Sequence, residues 1–342
     1  MVINSDMSTR PEVLVNVTRG NLIESTHHGH IAVADNQGLI IVSVGDPFHK
    51  TYMRSAAKPL QTLAVILSGA ADHFGITPEE LAVMSASHFG EEQHRETVKK
   101  ILAKIGCDET HLLCGSTTSL KVDYALEMAR NGYASSPLFS DCSGKHSGML
   151  AICKYKGWSV ENYTDPQHPL QRLITDIIAQ MTHTKPEDIV IAIDGCGAPV
   201  HGLPMVNMAT AFANLATPTY LPKEIAEACL RVYNAMSDNP FMIAGTGGFC
   251  TELIHTAQGK LIGKIGAEAI YLVASKVNRL GIALKLTDGN LWRIAPAVMQ
   301  TIKELQLLDQ RQLSQLKHWS VMENKNKHNQ VVGSIFPAFR LL

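Results

Sequence analysis

The stretch "HIAVADNQGLIIVSVGD" runs from His30 to Asp46 and joins two runs rich in β-branched and aliphatic residues. Between these runs stands "NQG", residues 36–38, which is typical of a tight turn between antiparallel strands. The pattern therefore predicts a β-hairpin, and with it a sheet that begins close to the start of the chain.

The helical period dominates from Ser55 to about residue 185, after which strand-like runs return. Thr77 and Glu80, three residues apart around a proline, predict a capping box at the start of a helix. The later strand signals are "IVIAIDGCG", "KLIGKIG", "AEAIYLVA" and "LGIALKL", with helices expected at about 222–236 and 295–307. We expect an α/β protein with a mixed sheet and flanking helices, in which residues 11–55 and 186–342 form one discontinuous α/β domain and residues 56–185 a mostly helical one.

Composition narrows the class of protein. The 342 residues are 45% hydrophobic and 18% charged, and 30 basic against 31 acidic residues leave a net charge of -1. This balance gives no electrostatic reason to bind nucleic acid or an anionic membrane. No apolar run is long enough to span a bilayer or to act as a signal peptide. Seven cysteines without a CxxC pair argue against a disulfide framework, so we expect a cytoplasmic protein.

The segment "MRSAAKPLQTLAV", residues 53–65, places Ser55 three residues before Lys58. Residues at this spacing share a helix face, and a lysine amine can activate a serine hydroxyl when it is kept neutral. Arg54 would help to keep it neutral or would bind an anionic substrate group. The alternative is an ordinary helix start, since SxxK is expected about once by chance in a chain of this length and recurs at residues 314–317.

Lys264 falls in the strand-like run "KLIGKIG". A lysine on the buried face of a strand needs a functional reason, and this one would reach a serine site from the far side. The alternative is a solvated lysine at the end of a strand. A nearby "SDN" at residues 237–239 is typical of a helix end before Pro240, because Ser, Asp and Asn are ordinary turn residues.

Two turns contain cysteine. "DCSGKHSGML" sets Cys142, Lys145 and His146 at the mouth of a helix, and "AIDGCGAPVHGLP" sets Cys196 between two glycines after a strand predicted to be buried. Two thiolates and a third nitrogen or oxygen ligand would suit zinc. A cysteine nucleophile paired with His146 or His88 is a rival interpretation, and so is burial as inert small hydrophobes.

Two further segments contain candidate residues. "MSASHFGEEQH" places Ser87 and His88 at the end of a helix, and "FMIAGTGGFCTEL" forms a glycine-rich turn around Gly247 that can approach a ligand closely. The turn lacks the phosphate-loop lysine and the dinucleotide pattern, so we interpret it as a substrate-side loop.

Eight segments together resemble one family. They are, in chain order, "ESTHHGHIAVAD", "RSAAKPLQ", "ASHFGEEQH", "DCSGKHSGML", "DGCGAPVHGLP", "AGTGGFCTEL", "GKIGAEA" and "LGIALKLTDG". From about residue 13 to about 337 the chain is similar to the L-asparaginases of the Rhizobium etli type, also called class 3. The resemblance implies hydrolysis of L-asparagine to L-aspartate and ammonia, a serine β-lactamase or glutaminase-like fold, and a homodimer.

The resemblance also implies roles for individual residues. Ser55 with Lys58 and Ser87 with Lys264 match two Ser-Lys pairs, and zinc is implied as the cofactor. The residues matched to zinc binding are Cys142, Lys145 and Cys196, and those expected to contact substrate are Arg54, His88, Asp194 and Gly247. If Lys58 is the base, burial together with Arg54, Lys264 or zinc should lower its pKa.

The sequence departs from the family pattern in several loops. Where relatives usually have C-G-x-H-x-P, residues 114–119 read "CGSTTS", so that Thr117 and Ser119 replace a histidine and a proline. Where relatives have G-T-G-R-F-D-T, Gly248 and Cys250 replace an arginine and an aspartate, and "FGE" at residues 89–91 replaces S-G-E. Ala269 replaces a glycine. Three hypotheses therefore stand: an asparaginase, another Ser-Lys amidohydrolase acting on glutamine, a lactam or a peptide, and a ligand-binding relative without catalysis.

Overall fold

The computed structural model describes residues 9–341 and contains eleven strands and fourteen α-helices within that range. The strands are β1 (Glu12–Arg19), β2 (Leu22–Asp35), β3 (Ile40–Val44), β4 (Lys50–Tyr52), β5 (Val190–Ile193), β6 (Pro199–Pro204), β7 (Leu261–Gly266), β8 (Ile270–Ser275), β9 (Leu280–Leu286), β10 (Met322–Lys325) and β11 (Val331–Pro337). Residues 1–8 and residue 342 lie outside the described residues. They include part of the N-terminal stretch considered as a signal peptide and the last residue of the predicted α/β domain.

Five short 3₁₀ helices accompany the fourteen α-helices of the described residues, and one of them, Arg54–Ala57, lies directly before the first α-helix. The α-helices are α1 (Lys58–Leu67), α2 (Ala70–His73), α3 (Pro78–Met84), α4 (Glu92–Lys104), α5 (Val122–Arg130), α6 (Ser143–Lys156), α7 (Pro169–Thr182), α8 (Met205–Ala216), α9 (Lys223–Asp238), α10 (Pro240–Ile243), α11 (Phe249–Ala257), α12 (Ala295–Glu304), α13 (Gln310–Gln315) and α14 (Lys317–Ser320). No helix between residues 9 and 341 has the length and apolar character needed to cross a bilayer.

The predicted α/β class, with a sheet, flanking helices and a mostly helical region, is confirmed. The large sheet has the strand order β10-β11-β1-β2-β9-β8-β7, and β3 pairs with β2. Its pairings are antiparallel and not mixed. The reason is that β1 to β3 and β7 to β9 follow one another through short connections, which favour antiparallel neighbours.

The local predictions agree with these elements. The hairpin predicted at residues 30–46 is confirmed as β2 and β3, with Ile31 opposite Val44. The capping box at Thr77 and Glu80 begins α3. One prediction is wrong: β5 is not buried, because Val190, Ile191 and Ile193 expose 49%, 39% and 57% of their surface.

The chain divides into two compact units, and their bounds differ from the predicted domains. The sheet unit comprises residues 9–56, 203–217 and 252–341, and the helical unit comprises residues 57–202 and 218–251. Residues 186–202 and 218–251 thus belong to the helical unit, contrary to the prediction. The cause is packing, since α9 lies against α1 and α3 while α8 lies against β2, β8 and β9.

Candidate active site

Ser55 lies in the 3₁₀ helix that runs without interruption into α1, at the end of the sheet unit. Arg54, the residue before it, has a φ of 48°, in the left-handed region that side chains other than glycine rarely occupy. Such strain persists only where the surroundings hold it, and it concentrates at functional sites. The Arg54 guanidinium lies 4.0 Å from the Glu268 carboxylate, which belongs to the turn between β7 and β8.

The face of β7 that meets the Ser55 segment also holds Lys264. A Cβ on Gly266 would come within 2.8 Å of the Met53 carbonyl oxygen and 3.0 Å of the Ala56 nitrogen, so β7 packs here against the backbone on both sides of Ser55. Lys264 precedes Gly266 by two residues and therefore shares its face. Lys264 is fully buried and donates to the Ile265 carbonyl oxygen at 2.7 Å, so the alternative of a solvated lysine is wrong.

In the helical unit, Lys58 contacts Ser87, which was among the predicted site residues, and Asp141, which was not. Its ammonium donates to Ser87 Oγ at 3.1 Å, to the Asp141 carbonyl oxygen at 2.8 Å and to Asp141 Oδ2 at 3.0 Å. The Lys58 side chain is only 1% exposed. The only sequence signal for Asp141 was its place just before Cys142 at a helix mouth, where a carboxylate is favoured by the helix dipole.

The surroundings of Lys58 keep it charged. Burial lowers its pKa, but the Asp141 carboxylate and the Cys142 sulfur raise it by more, so that the pKa lies above the ordinary lysine value despite the nearby Lys145. The predicted lowering is therefore wrong. Its physical reason is the ion pair with Asp141, which favours the charged amine.

The three residues matched to zinc binding lie together in the helical unit. Cys142 is the N-cap of α6, and Lys145 lies in the first turn of that helix. Lys145 Nζ donates to Cys196 Sγ at 2.9 Å, Cys142 Sγ donates to Asp141 Oδ2 at 3.7 Å, and the Cys142 thiol interacts with the Cys196 sulfur. All three side chains are buried. We call this cluster of Cys142, Lys145 and Cys196 the sulfur trio.

Charge within the sulfur trio is unevenly shared. The hydrogen bond from Cys142 lowers the pKa of Cys196 in spite of its burial, with help from Lys145 and His146. The same hydrogen bond and burial raise the pKa of Cys142 well above the ordinary thiol value. Burial lowers the pKa of Lys145, but the two sulfurs outweigh it and raise the pKa overall. Negative charge in the trio is thus favoured on Cys196, which also accepts from Lys145.

The donor set of the sulfur trio fits a zinc ion, because two sulfurs and a nitrogen converge in a buried place. Between residues 9 and 341 no group of three or more His, Cys, Asp or Glu side chains could hold a metal. That finding does not exclude the trio, since only two of its members are of those four types. As a zinc ligand, Lys145 would have to lose the proton that it now donates to Cys196.

The residues expected to contact substrate occupy different surroundings. His88 is fully buried, accepts from the Gly90 amide at 3.1 Å and bonds Ser143 Oγ at 3.0 Å, so both ring nitrogens are engaged within the helical unit. Asp194 follows β5 and accepts from the Gly195 amide at 2.7 Å. Gly247 has a φ of 72° and open space where a Cβ would stand. Their contacts with substrate stay predictions.

Phe89, one of the altered loop positions, lies against two others, Ser119 and Gly248. Ser119 Oγ donates to the Phe89 carbonyl oxygen at 2.5 Å. A Cβ on Gly248 would lie 2.6 Å from Ala244 Cβ and 3.3 Å from Phe89 Cε2, so no side chain fits there without movement. The Phe89 amide in turn donates to the Ala244 carbonyl oxygen at 2.8 Å. Ser119, Phe89 and Gly248 therefore form one packed cluster, which includes the residue two positions after Ser87.

Comparison with known proteins gives one family and several distant structures. A family model described as L-asparaginase II matches residues 15–337, whereas no curated protein matches. A β-lactamase from Mycobacterium bovis is 14% identical over 82% of this chain and 95% of its own, with a TM-score of 0.41. Simvastatin synthase from Aspergillus terreus is 12% identical over 76% of this chain and 86% of its own, with a TM-score of 0.39. The α/β class rests on the strands and helices described above.

Proposed function

The chain belongs to the L-asparaginase II family, a family of amide hydrolases, and from this premise we propose that it hydrolyses L-asparagine to L-aspartate and ammonia. The observation that carries the proposal is the setting of Lys58. This buried amine begins α1 directly after the Ser55 segment, and its Nζ lies 3.1 Å from Ser87 Oγ. A buried lysine amine within hydrogen-bond distance of a serine hydroxyl supports a Ser-Lys acyl-transfer site.

In the proposed reaction Ser55 Oγ attacks the side-chain amide carbon of asparagine. The hydroxyl proton passes to the neutral amine of Lys58, the C–N bond breaks, and the nitrogen leaves as ammonia after taking up a proton. The product of this half-reaction is a β-aspartyl ester of Ser55, which water hydrolyses to aspartate while the serine hydroxyl is restored. Ser87 and Lys264 would relay that proton or protonate the leaving group.

The charged state of Lys58 sets the expected pH dependence. Its pKa lies above the ordinary lysine value, so the amine is protonated at neutral pH and must lose that proton before it accepts one from Ser55. We expect kcat/KM to rise from neutral into alkaline pH. A profile that is flat from pH 6 upward would count against a lysine base and favour a histidine, which titrates near about 6.5.

We further propose that the sulfur trio binds zinc. Bound there, the ion would supply Lewis-acid chemistry close to Asp141 and Lys58. Elemental analysis should find about one zinc per chain, as expected for a single site. Cys142→Ser and Cys196→Ser should lose the metal, whereas Cys107→Ser and Cys229→Ser, which remove thiols elsewhere, should keep it. Metal-free wild-type protein after zinc-replete expression would refute the site.

The decisive experiment is ammonia release from L-asparagine. Ser55→Ala and Lys58→Ala should each lower kcat by about 10³-fold or more, and the double variant should be little worse, because residues that act as a unit are not additive. Ser314→Ala, in the second SxxK sequence, is the control and should leave kcat unchanged. Full activity of Ser55→Ala would overturn the assignment of the nucleophile.

The packed cluster of altered residues beside Ser87 favours a test of other amides as well. The same assay with L-glutamine and a chromogenic lactam separates an asparaginase from another Ser-Lys amidohydrolase. A tightly bound amino acid that is never hydrolysed would support the non-catalytic alternative. The homodimer implied by the resemblance stays a prediction, which light scattering of the purified protein tests.

A further inference from the structure

The hydroxyl of Tyr163 is enclosed between two partners next to the sulfur trio. The Leu113 amide donates to Tyr163 Oη at 2.8 Å, and Oη lies 2.7 Å from His146 Nδ1. Tyr163 and His146 are both fully buried, and their rings meet edge to face with centroids 5.5 Å apart. Within residues 9–341, Oη takes part in no other hydrogen bond.

These contacts fix where two protons reside. A backbone N–H can only donate, so the phenol oxygen is the acceptor for Leu113. The phenol proton is buried and needs an acceptor of its own, because an unmade buried hydrogen bond is costly. The nitrogen within reach is His146 Nδ1. Tyr163 therefore donates to Nδ1, and a neutral His146 must hold its proton on Nε2.

His146 follows Lys145 of the sulfur trio in α6, and Nε2 is the ring nitrogen that does not meet Tyr163. Nε2 is buried and has no partner in standard hydrogen-bond geometry, while the imidazole interacts with the Cys196 sulfur. In the tautomer that Tyr163 imposes, Nε2 offers an N–H and not a lone pair. An N–H beside a thiolate stabilises its negative charge, as hydrogen bonds from outer residues do for metal ligands.

We propose that Tyr163 is a positioning residue that locks His146 as the Nε2–H tautomer, so that His146 supports Cys196 as a proton donor and serves neither as a metal ligand nor as a base. The part of this inference that concerns zinc rests on the proposed metal site. The part that concerns the tautomer rests on the Leu113, Tyr163 and His146 contacts alone.

The first test needs no change to the buried tyrosine. The ring ¹⁵N shifts of His146 are recorded by NMR in metal-free wild-type protein, and His146→Gln identifies its signals among the 15 histidines. We expect a protonated Nε2 and an unprotonated Nδ1. A proton on Nδ1 would overturn the proposal, whatever the protein does with asparagine or zinc.

The second test removes the donor with Tyr163→Phe, and Tyr233→Phe is the matched control, since Tyr233 is also fully buried in the helical unit. The Tyr163 variant should show mixed tautomers and a zinc dissociation constant, measured against a chelator, about 10–100-fold higher than wild type. Tyr233→Phe should change neither. Equal zinc affinity and an unchanged tautomer in Tyr163→Phe would overturn the proposal. If wild-type protein binds no zinc, the metal site is refuted, and the tautomer of His146 alone then decides the proposal about Tyr163.

Discussion

Lys58 in the helical unit and Lys285 in the sheet unit are both buried, yet their surroundings shift their pKa values in opposite directions. Lys58 Nζ donates to the Asp141 carboxylate at 3.0 Å. Lys285 Nζ donates at 2.5 Å to two backbone carbonyl oxygens, those of Glu268 and Leu286. The pKa lies above the ordinary lysine value in the first case and below it in the second.

The difference shows what a buried ammonium needs in order to stay charged. Burial is the largest influence on both pKa values and lowers each of them. A carboxylate in direct contact compensates for it at Lys58. At Lys285 the Glu268 and Asp288 carboxylates raise the pKa too little, and Arg54 opposes them. Carbonyl dipoles in contact with the ammonium therefore do not replace a carboxylate there.

Removal of the Asp141 carboxylate should have the largest effect, because this group distinguishes the surroundings of Lys58 from those of Lys285. Asp141→Asn leaves Lys58 buried and unpaired, so the free energy of unfolding at pH 7 should fall by about 3 kcal/mol. The pKa of Lys58 should fall as well, because only the Cys142 sulfur would still oppose burial, and the alkaline limb of kcat/KM should move to lower pH. Urea unfolding and the pH profile of turnover measure the two effects.

The control for Asp141→Asn is an exposed ion pair in the same unit. Asp72 accepts from Arg231 at 2.8 Å, but its side chain is 70% exposed. Asp72→Asn should therefore change the free energy of unfolding by no more than about 0.5 kcal/mol. If Asp141→Asn lowers the free energy of unfolding no more than Asp72→Asn does, the Asp141 carboxylate does not stabilise the charged Lys58 ammonium as described.

The pH dependence of the stability lost in Lys285→Met tests the difference between the two lysines. The substitution leaves the Glu268 and Leu286 carbonyls without their donor, at a cost of about 1–2 kcal/mol at pH 10. At pH 7 the wild-type ammonium is charged and disfavoured by burial, so the cost should be smaller. The sign follows from linkage: a lysine with a lowered folded pKa gains stability as pH rises from that pKa toward the unfolded value of 10.5.

For Lys58→Met we expect the opposite pH dependence of the stability cost. Its folded pKa is raised, so its contribution is fully present below pH 10.5 and is lost only as pH rises through the folded value. The cost of Lys58→Met should therefore not increase between pH 7 and pH 10. Chemical unfolding of both variants at these two pH values checks the contrast, and parallel behaviour would contradict it.

The smallest expected effect concerns the turn that Lys285 holds. Ala269 is buried in this turn with a φ of 53°, next to Glu268 at 61°. Ala269→Gly should raise the free energy of unfolding by about 0.5–1 kcal/mol, because glycine adopts this conformation without strain. Ala267→Gly, one position before Glu268 and without a positive φ, should lower it. A loss in both variants would mean that Ala269 is not strained.

Signals that depend on a few neighbouring residues were sufficient for much of the fold. The hairpin around residues 36–38, the capping box at Thr77 and the strands β7 to β9 were all predicted, since turn chemistry, capping and alternation are local properties. The candidate residues Lys58, Cys142 and Cys196 were identified in the same way, from residue type and spacing. The exposure of β5 was not, because an apolar run does not reveal whether another layer covers it.

The sequence by itself determined the class of fold, several helices and strands, among them β2, β3 and β7 to β9, and the residue types available for chemistry. Only the tertiary structure decided that Asp141 contacts Lys58, which lies 83 positions away in the chain. The same is true of the hydrogen bond between Tyr163 and His146, which lie 17 positions apart. It also decided the sign of the Lys58 pKa shift and the bounds of the two units. The physical reason is that burial and electrostatic partners depend on which distant segments pack together, and no local pattern specifies that packing.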